Sequence, residues 1–302
     1  MGVHNQALII NGVLTSFDDT ISESLYNKQQ KALSDIPTGI QNIPAYFVPL
    51  RAYNITGMEN VRNLLVKDNF VINGEIIKTA NIPNLSKVID DLYASDKKVI
   101  FTMGKGGVGK TSIAAAIALG LSAKGKKVHL TTTDPAAHLK FVMKENNGIA
   151  MSHIDEKAEL KRYQDEVLAK ARETMSEEDV AYVEEDLRSP YTQGDIPEAV
   201  KKLLPRLRNA DETEVIIVTL AETTPVYEAM RLEDDLKRAG IAAKWWIINS
   251  SLYVTDTNNL LLKAKASHEV EWMNKVDELS NGNFAVIKWS VEDIKGNTLL
   301  TI

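Results

Sequence analysis

Apolar, β-branched runs punctuate the chain at 7–14, 46–50, 70–77, 98–103, 127–133, 214–220, 245–249 and 284–289. Their length and composition predict strands buried on both faces. Between most of them apolar residues recur three and four apart, predicting helices over 22–33, 85–94, 112–123, 226–239 and 259–276. Strands alternating with helices predict an α/β fold, a mostly parallel sheet flanked by helices. The clearest βαβ unit lies over 97–133: strand, glycine-rich turn, Ala/Ile/Leu-rich helix, Gly125, strand. From 134 to 211 the pattern predicts no strand. Within that interval 156–187 is highly charged with apolar residues at helical spacing, which reads as one or two exposed helices.

A weak internal repeat adds to this. Ile9-Ile10-Asn11-Gly12-Val13-Leu14 resembles Ile247-Ile248-Asn249-Ser250-Ser251-Leu252, an offset of 249 − 11 = 238. Phe47-Val48 followed by Ile55-Thr56-Gly57 resembles Val286-Ile287 followed by Ile294-Lys295-Gly296, an offset of 296 − 57 = 239. The repeat predicts that 1–65 is the closing part of a unit whose second copy ends the chain. Residues 66–84 then form a linker, with a hairpin turn at Asn73-Gly74, and 85–302 form the second, fuller unit. A chance likeness between two strand endings is the competing explanation.

The candidate chemistry sits in Gly104-Lys105-Gly106-Gly107-Val108-Gly109-Lys110-Thr111, which satisfies G-x-x-x-x-G-K-[ST] between a predicted strand and a predicted helix. Glycines let successive backbone N–H groups curl around phosphate oxygens, and the helix N-terminus behind them favours anions. Lys110 is then expected on the terminal phosphates and the Thr111 hydroxyl on Mg²⁺. Lys105 directly follows the first glycine and defines the deviant form of the loop. Such a lysine reaches across to a partner's phosphates, much as an arginine finger does, or it is a solvated lysine on a basic turn. Asp134 ends the next strand ahead of Pro135: it can orient or deprotonate an attacking water at the sheet's ligand edge, cap the following helix, or do both. His138 reads as a packing or capping residue. Asn249, ending a buried strand, either hydrogen-bonds an adenine edge or serves a turn.

Composition narrows the classes. Thirty-five Lys and Arg against forty-one Asp and Glu give a formal charge of −6, a poor basis for bulk nucleic-acid binding. The absence of cysteine excludes disulfides, thiol nucleophiles and thiolate metal sites. The five histidines show no zinc-site spacing. No apolar run reaches the roughly 18 residues of a membrane span, and the N-terminus does not read as a signal peptide.

The glycine loop, the 131–139 segment, Glu185-Asp186-Leu187-Arg188-Ser189-Pro190 and Thr219-Leu220-Ala221-Glu222-Thr223-Thr224-Pro225-Val226 together resemble the second half of the arsenical pump-driving ATPase (ArsA) family. Residues 7–65, including Pro49-Leu50-Arg51-Ala52-Tyr53-Asn54-Ile55-Thr56-Gly57, resemble the end of that family's first half. The resemblance implies a deviant P-loop ATPase of two pseudo-symmetric halves that uses ATP and Mg²⁺ to energise a membrane arsenite/antimonite efflux pump. It implies a cytoplasmic protein, peripheral at the inner face of the membrane, completed by a second ATPase half or a homodimer partner. By position, Lys105 is the cross-interface lysine. Gly106, Gly107, Val108, Gly109, Lys110, Thr111 and Ser112, with Gly104, cradle phosphate, and Thr111 holds Mg²⁺. Asp134 lies in the first switch, and Asn249, with Asn11 in the first half, lies at adenine.

Two family features are missing. The Asp-Thr-Ala-Pro-Thr-Gly-His strand and switch, expected between Gln193 and Gly194, is absent, and Tyr191 replaces the cysteine that follows Ser-Pro. Without thiolates, soft As(III) or Sb(III) has no obvious ligand. Two alternatives therefore stand beside the pump ATPase: a nucleotide-binding module without coupled hydrolysis, and another deviant-loop ATPase of protein targeting or partitioning.

Overall fold

A computed structural model describes residues 5–64, 66, 82–133, 149–188 and 204–292. Four parallel strands form the main sheet: β3 (Val99–Met103), β6 (Thr213–Thr219), β7 (Ala243–Ser251) and β8 (Phe284–Lys288), in the order β3-β6-β7-β8. Every residue of β6 is buried, and its central Val215–Val218 run is what a strand covered on both faces requires. One face is covered by α3 (Leu85–Ala94) and α4 (Lys110–Ala123) through Val88, Leu92, Ile113 and Ile117, which pack with Ile216, Val218, Trp245 and Ile247. The other is covered by α7 (Thr223–Arg238), α8 (Leu260–Ser267) and α9 (Glu269–Ser280), whose Val226, Leu262 and Val276 pack with Ile217, Trp246 and Ile248. Adjacent tryptophans Trp245 and Trp246 thus point into opposite layers, as the period of two in a strand dictates. α4 is buried almost all round, from Ile113 to Leu121, so its sequence carries no polar stripe.

Residues 5–64 carry β1 (Leu8–Val13), α1 (Thr20–Ser34), β2 (Ala45–Pro49) and α2 (Gly57–Asn63). β1 and β2 pair in parallel, and their ladder repeats β7–β8 position by position. Leu8↔Ala45 matches Trp246↔Phe284, and Ile9↔Tyr46 matches Ile247↔Ala285. The irregularity before Val13↔Pro49 recurs before Ser251↔Lys288. Gly12 (φ 77°) and Ser250 (φ 56°), equivalent positions in the repeat, are both left-handed. The sequence offset is therefore also a geometric one. Their surroundings differ: Ile9, Tyr46 and Phe47 are exposed, whereas their counterparts Ile247, Ala285 and Val286 are buried.

Two expectations are corrected. A strand does occur between 134 and 211: β5 (Ala150–His153) pairs in parallel with β4 (His129–Thr132). It is four residues long, and Ser152 and His153 give it little β-branched signal. Leu130 and Ile149 tie this pair to the core beneath α4. The helix expected over 259–276 is two helices, α8 and α9, broken at His268. The charged interval forms α5 (Glu156–Thr174) and α6 (Glu177–Arg188). The expected strand at 70–77, the Asn73-Gly74 turn and the Gln193–Gly194 junction lie outside the described residues.

Candidate functional site

The glycine loop leaves the C-terminal end of β3 and enters α4 at Lys110. Its ends are pinned and its tip is open. A Cβ on Gly104 would lie 2.2 Å from the Val218 carbonyl oxygen on neighbouring β6. A Cβ on Gly109, whose φ is 94°, would lie 2.2 Å from Asn249 Nδ2. Val108, 2% exposed, anchors the loop in the core under α4. At Gly106 and Gly107, by contrast, a Cβ would meet nothing within 4 Å, which leaves room for a ligand against the backbone. Lys110 Nζ donates to the Lys105 carbonyl at 2.9 Å, drawing the two ends of the loop together. No side chain caps the start of α4, so the helix presents its first amides to an anion. Thr111 and Ser112 sit half-buried in that first turn.

Asn249, at the end of β7, joins the loop to a second feature. Its Nδ2 donates to the Val108 carbonyl at 3.0 Å, while its buried Oδ1 has no partner. Leaving such an oxygen unsatisfied costs about 1–3 kcal/mol, so the site calls for a donor. Asn249 also lines a cavity of about 220 Å³ together with Leu50, Leu220, Leu252, Glu269 and Trp289. That volume is below the roughly 300–1,000 Å³ of whole-ligand pockets and suits one planar group of a larger ligand. At its rim Lys265 Nζ pairs with Glu222 at 3.0 Å. Glu269, 7% exposed, accepts from Ser251 Oγ (2.6 Å), Leu252 N (3.0 Å) and Tyr253 N (3.1 Å). Burial pushes its carboxyl up, and these hydrogen bonds offset only part of that rise.

The structure thus brings together Gly104, Gly106, Gly107, Val108, Gly109, Lys110, Thr111, Ser112 and Asn249. The Lys105 side chain is exposed at the loop tip. Asn11 lines a different cavity, of about 270 Å³, with Arg51, Glu222, Thr223 and Lys265. Asp134 and His138 lie outside the described residues. Sequence reasoning missed Glu269 and Lys265. Both fall inside what reads as one continuous helix, where a single charged residue signals only a solvated face.

A glycine loop joining a parallel strand to a helix N-terminus, within a sheet covered by helices on both faces, defines a P-loop NTPase fold. The profile of the anion-transporting ATPases matches residues 97–196 and 191–301, and the chain belongs to that family. An arsenical pump-driving ATPase of Escherichia coli is 33% identical over 341 residues, covering 95% of this chain and 58% of the relative. Its namesake in Acidiphilium multivorum is 33% identical over the same shares of the two chains. A Plasmodium chabaudi chabaudi protein described as "ATPase ASNA1 homolog" is 26% identical over 230 residues, 72% of this chain and 55% of that one. The chain therefore spans little more than half the length of the curated relatives it matches. No helix among the described residues is long and apolar enough to cross a membrane.

Proposed function

We propose that this chain binds and hydrolyses Mg-ATP as a component that drives arsenite or antimonite efflux through a membrane pump, the role named in its bacterial relatives. One observation carries the nucleotide part. Asn249 packs on Gly109, bonds Val108 and leaves a buried amide oxygen unpartnered beside the cavity. A nucleotide with its phosphates in the loop and its base toward Asn249 satisfies that oxygen through the exocyclic amine of adenine. Guanine carries a carbonyl there and does not.

Lys110 neutralises the terminal phosphates. Thr111 fits Mg²⁺, because its hydroxyl stands in an uncapped first turn beside glycines that leave the approach clear. The metal, when bound, supplies charge that offsets the phosphates. Lys105 is free at the tip to reach phosphates held by a second half or a second copy of this chain. In this reading 1–65 is the closing part of a first ATPase half. The register shared by β1–β2 and β7–β8, and the exposed apolar residues where the second copy is covered, support that assignment. A cytoplasmic site of action, peripheral to the membrane, follows from the role.

Isothermal titration with ATP, with and without Mg²⁺, tests this. Lys110→Ala should weaken ATP at least about tenfold, since a hydrogen bond to a charged group is worth roughly 1.5–3 kcal/mol. Asp134→Asn should bind ATP like the parent and lose roughly 10²–10⁴ in turnover if Asp134 serves as the base. An absence of heat with adenine nucleotides would end the proposal.

A nucleotide-binding module without metalloid-coupled turnover is the second reading. It is favoured by the lack of any cysteine and by the outer edge of β3, which pairs with no strand among the described residues. The family match also comes in two stretches that meet at 191–196, where the family's Asp-Thr-Ala-Pro-Thr-Gly-His segment is expected. ATP turnover that rises across an antimonite titration favours the pump component, and a flat response favours the module.

A further inference from the structure

The two left-handed turns of the repeat are held by the same kind of grip. In the first, Gln29 of α1 reaches back to the turn. Its Oε1 accepts from Leu14 N at 2.9 Å and its Nε2 donates to the Gly12 carbonyl at 2.8 Å. In the second, Glu269 at the start of α9 reaches back to Ser251, Leu252 and Tyr253. Leu14 and Leu252 occupy equivalent positions of the repeat, and each gives its backbone N–H to the gripping side chain. Both grips line the same 220 Å³ cavity. In each copy an asparagine, Asn11 or Asn249, directly precedes the left-handed residue.

We propose that Glu269 is a positioning residue for the base pocket: by holding the Ser251–Tyr253 turn it fixes the Asn249 amide between Val108 and the cavity, and so sets preference for adenine over guanine. The carbonyls of the turn are held elsewhere, Ser251 O by Trp289 N at 2.8 Å and Leu252 O by Thr255 N and Oγ at 3.0 and 2.6 Å, while Glu269 takes the N–H groups of Leu252 and Tyr253 and the Ser251 hydroxyl. Ser250 sits at φ 56°, a conformation that a non-glycine residue adopts at a cost, and the backbone leaves the β7–β8 ladder irregularly just before Ser251. Three acceptor bonds from one buried carboxylate hold it there. Released, the turn lets Asn249 move away from Val108, and the base loses its orienting contact. The phosphate loop keeps Gly104, Lys110 and the α4 N-terminus, none of which Glu269 touches.

The inference rests on the nucleotide reading above, and its test separates the two. Dissociation constants for ATP, GTP and inorganic tripolyphosphate are compared in the wild type, Glu269→Leu, Glu269→Asp and Glu269→Gln, with circular dichroism and melting temperature recorded for each. Glu269→Leu should lower the ATP-to-GTP preference tenfold or more while tripolyphosphate affinity changes less than twofold. Glu269→Asp, one methylene short of the turn, should show the same loss while keeping a carboxylate in the core, and it decides the matter if Glu269→Leu does not fold. Glu269→Gln should lose part of the preference, because its amide nitrogen would face the Leu252 or the Tyr253 N–H, where the carboxylate accepts and where Gln29 in the first copy instead meets a carbonyl. A folded Glu269→Leu or Glu269→Asp that retains the wild-type preference overturns the inference. So does a parallel loss of ATP and tripolyphosphate. Wild-type protein that binds none of the three overturns the nucleotide reading itself.

Discussion

At the scale of single residues, the four loop glycines are not equivalent. Gly104 and Gly109 are fixed by neighbours, the Val218 carbonyl and the Asn249 amide, each 2.2 Å from where a Cβ would stand. Gly109 also has a left-handed φ, so an L side chain is strained there regardless of space. Gly106 has neither constraint. Gly109→Ala should therefore cost about 1–3 kcal/mol of stability, read from urea denaturation. Gly106→Ala should leave the denaturation curve unchanged. If the two variants unfold alike, crowding by Asn249 does not explain the glycine. The sequence motif identifies where glycine stands but not which glycine is there for the fold and which for the ligand. That distinction depends on what β6 and β7 bring alongside, over a hundred residues later in the chain.

At the scale of elements, the turns after β1 and β7 offer a controlled pair. The same backbone conformation is occupied by Gly12 in one and by Ser250 in the other. Gly12→Val should destabilise by about 1–3 kcal/mol, because a branched side chain is poorly tolerated at positive φ. Ser250→Gly should lie within about 1 kcal/mol of the parent, with relieved strain set against glycine's larger loss of chain entropy. Equal effects from the two would contradict the structural repeat. The strands of the main sheet were legible because parallel strands covered on both faces carry unbroken apolar runs, Val215–Val218 in β6 and Trp245–Ile248 in β7. Helix α3 was legible from its bounds onward, since Val88 and Leu92 repeat at helical spacing. β5 was not, because its stability comes from pairing with β4 and from Ile149 beside it in the core rather than from its own residues. Nor was the break at His268: α8 and α9 share one apolar periodicity, and the interruption serves Glu269, whose partners lie in a turn 16 to 18 residues earlier.

At the scale of the whole molecule, the first unit meets the second through apolar packing of Ile21, Leu25 and Leu50, through Ser24 and Lys28, and through two carboxylates. Asp19 caps α1 by accepting from Ser22 N at 2.7 Å, and its other oxygen accepts from Thr257 Oγ at 2.7 Å and Asn259 N at 3.2 Å. Asp18 accepts from Asn259 Nδ2 at 2.6 Å. Thr257 lies 238 residues beyond Asp19, so equivalent positions of the repeat touch each other, as they do near a local two-fold axis. Burial pushes the Asp19 carboxyl up, but the hydrogen bonds from Ser22, Thr257 and Asn258 outweigh it and hold the group well below the ordinary 3.8. A carboxylate depressed on folding stabilises the protein above its unfolded pKa, and that contribution fades as pH falls through the folded one. Asp19→Asn should therefore cost roughly 1–2 kcal/mol near neutrality. The gap from the wild type in urea denaturation should narrow below about pH 4. A gap independent of pH would mean that the charge does not hold the joint. The joint also bears on the order of folding. A two-stranded ladder has too little core to persist in water alone, and the segment that carries β1–β2 is tied to the second unit by Asp19 and Asp18 at Thr257 and Asn259 and by Ser24 and Lys28 at Val291 and Ser290. Asp18 and Asp19 meet partners 238 to 241 residues further along the chain, so the joint closes only once Asn259 has been made. Closing a loop of that length costs entropy before any contact repays it, which makes this joint one of the slow steps of folding.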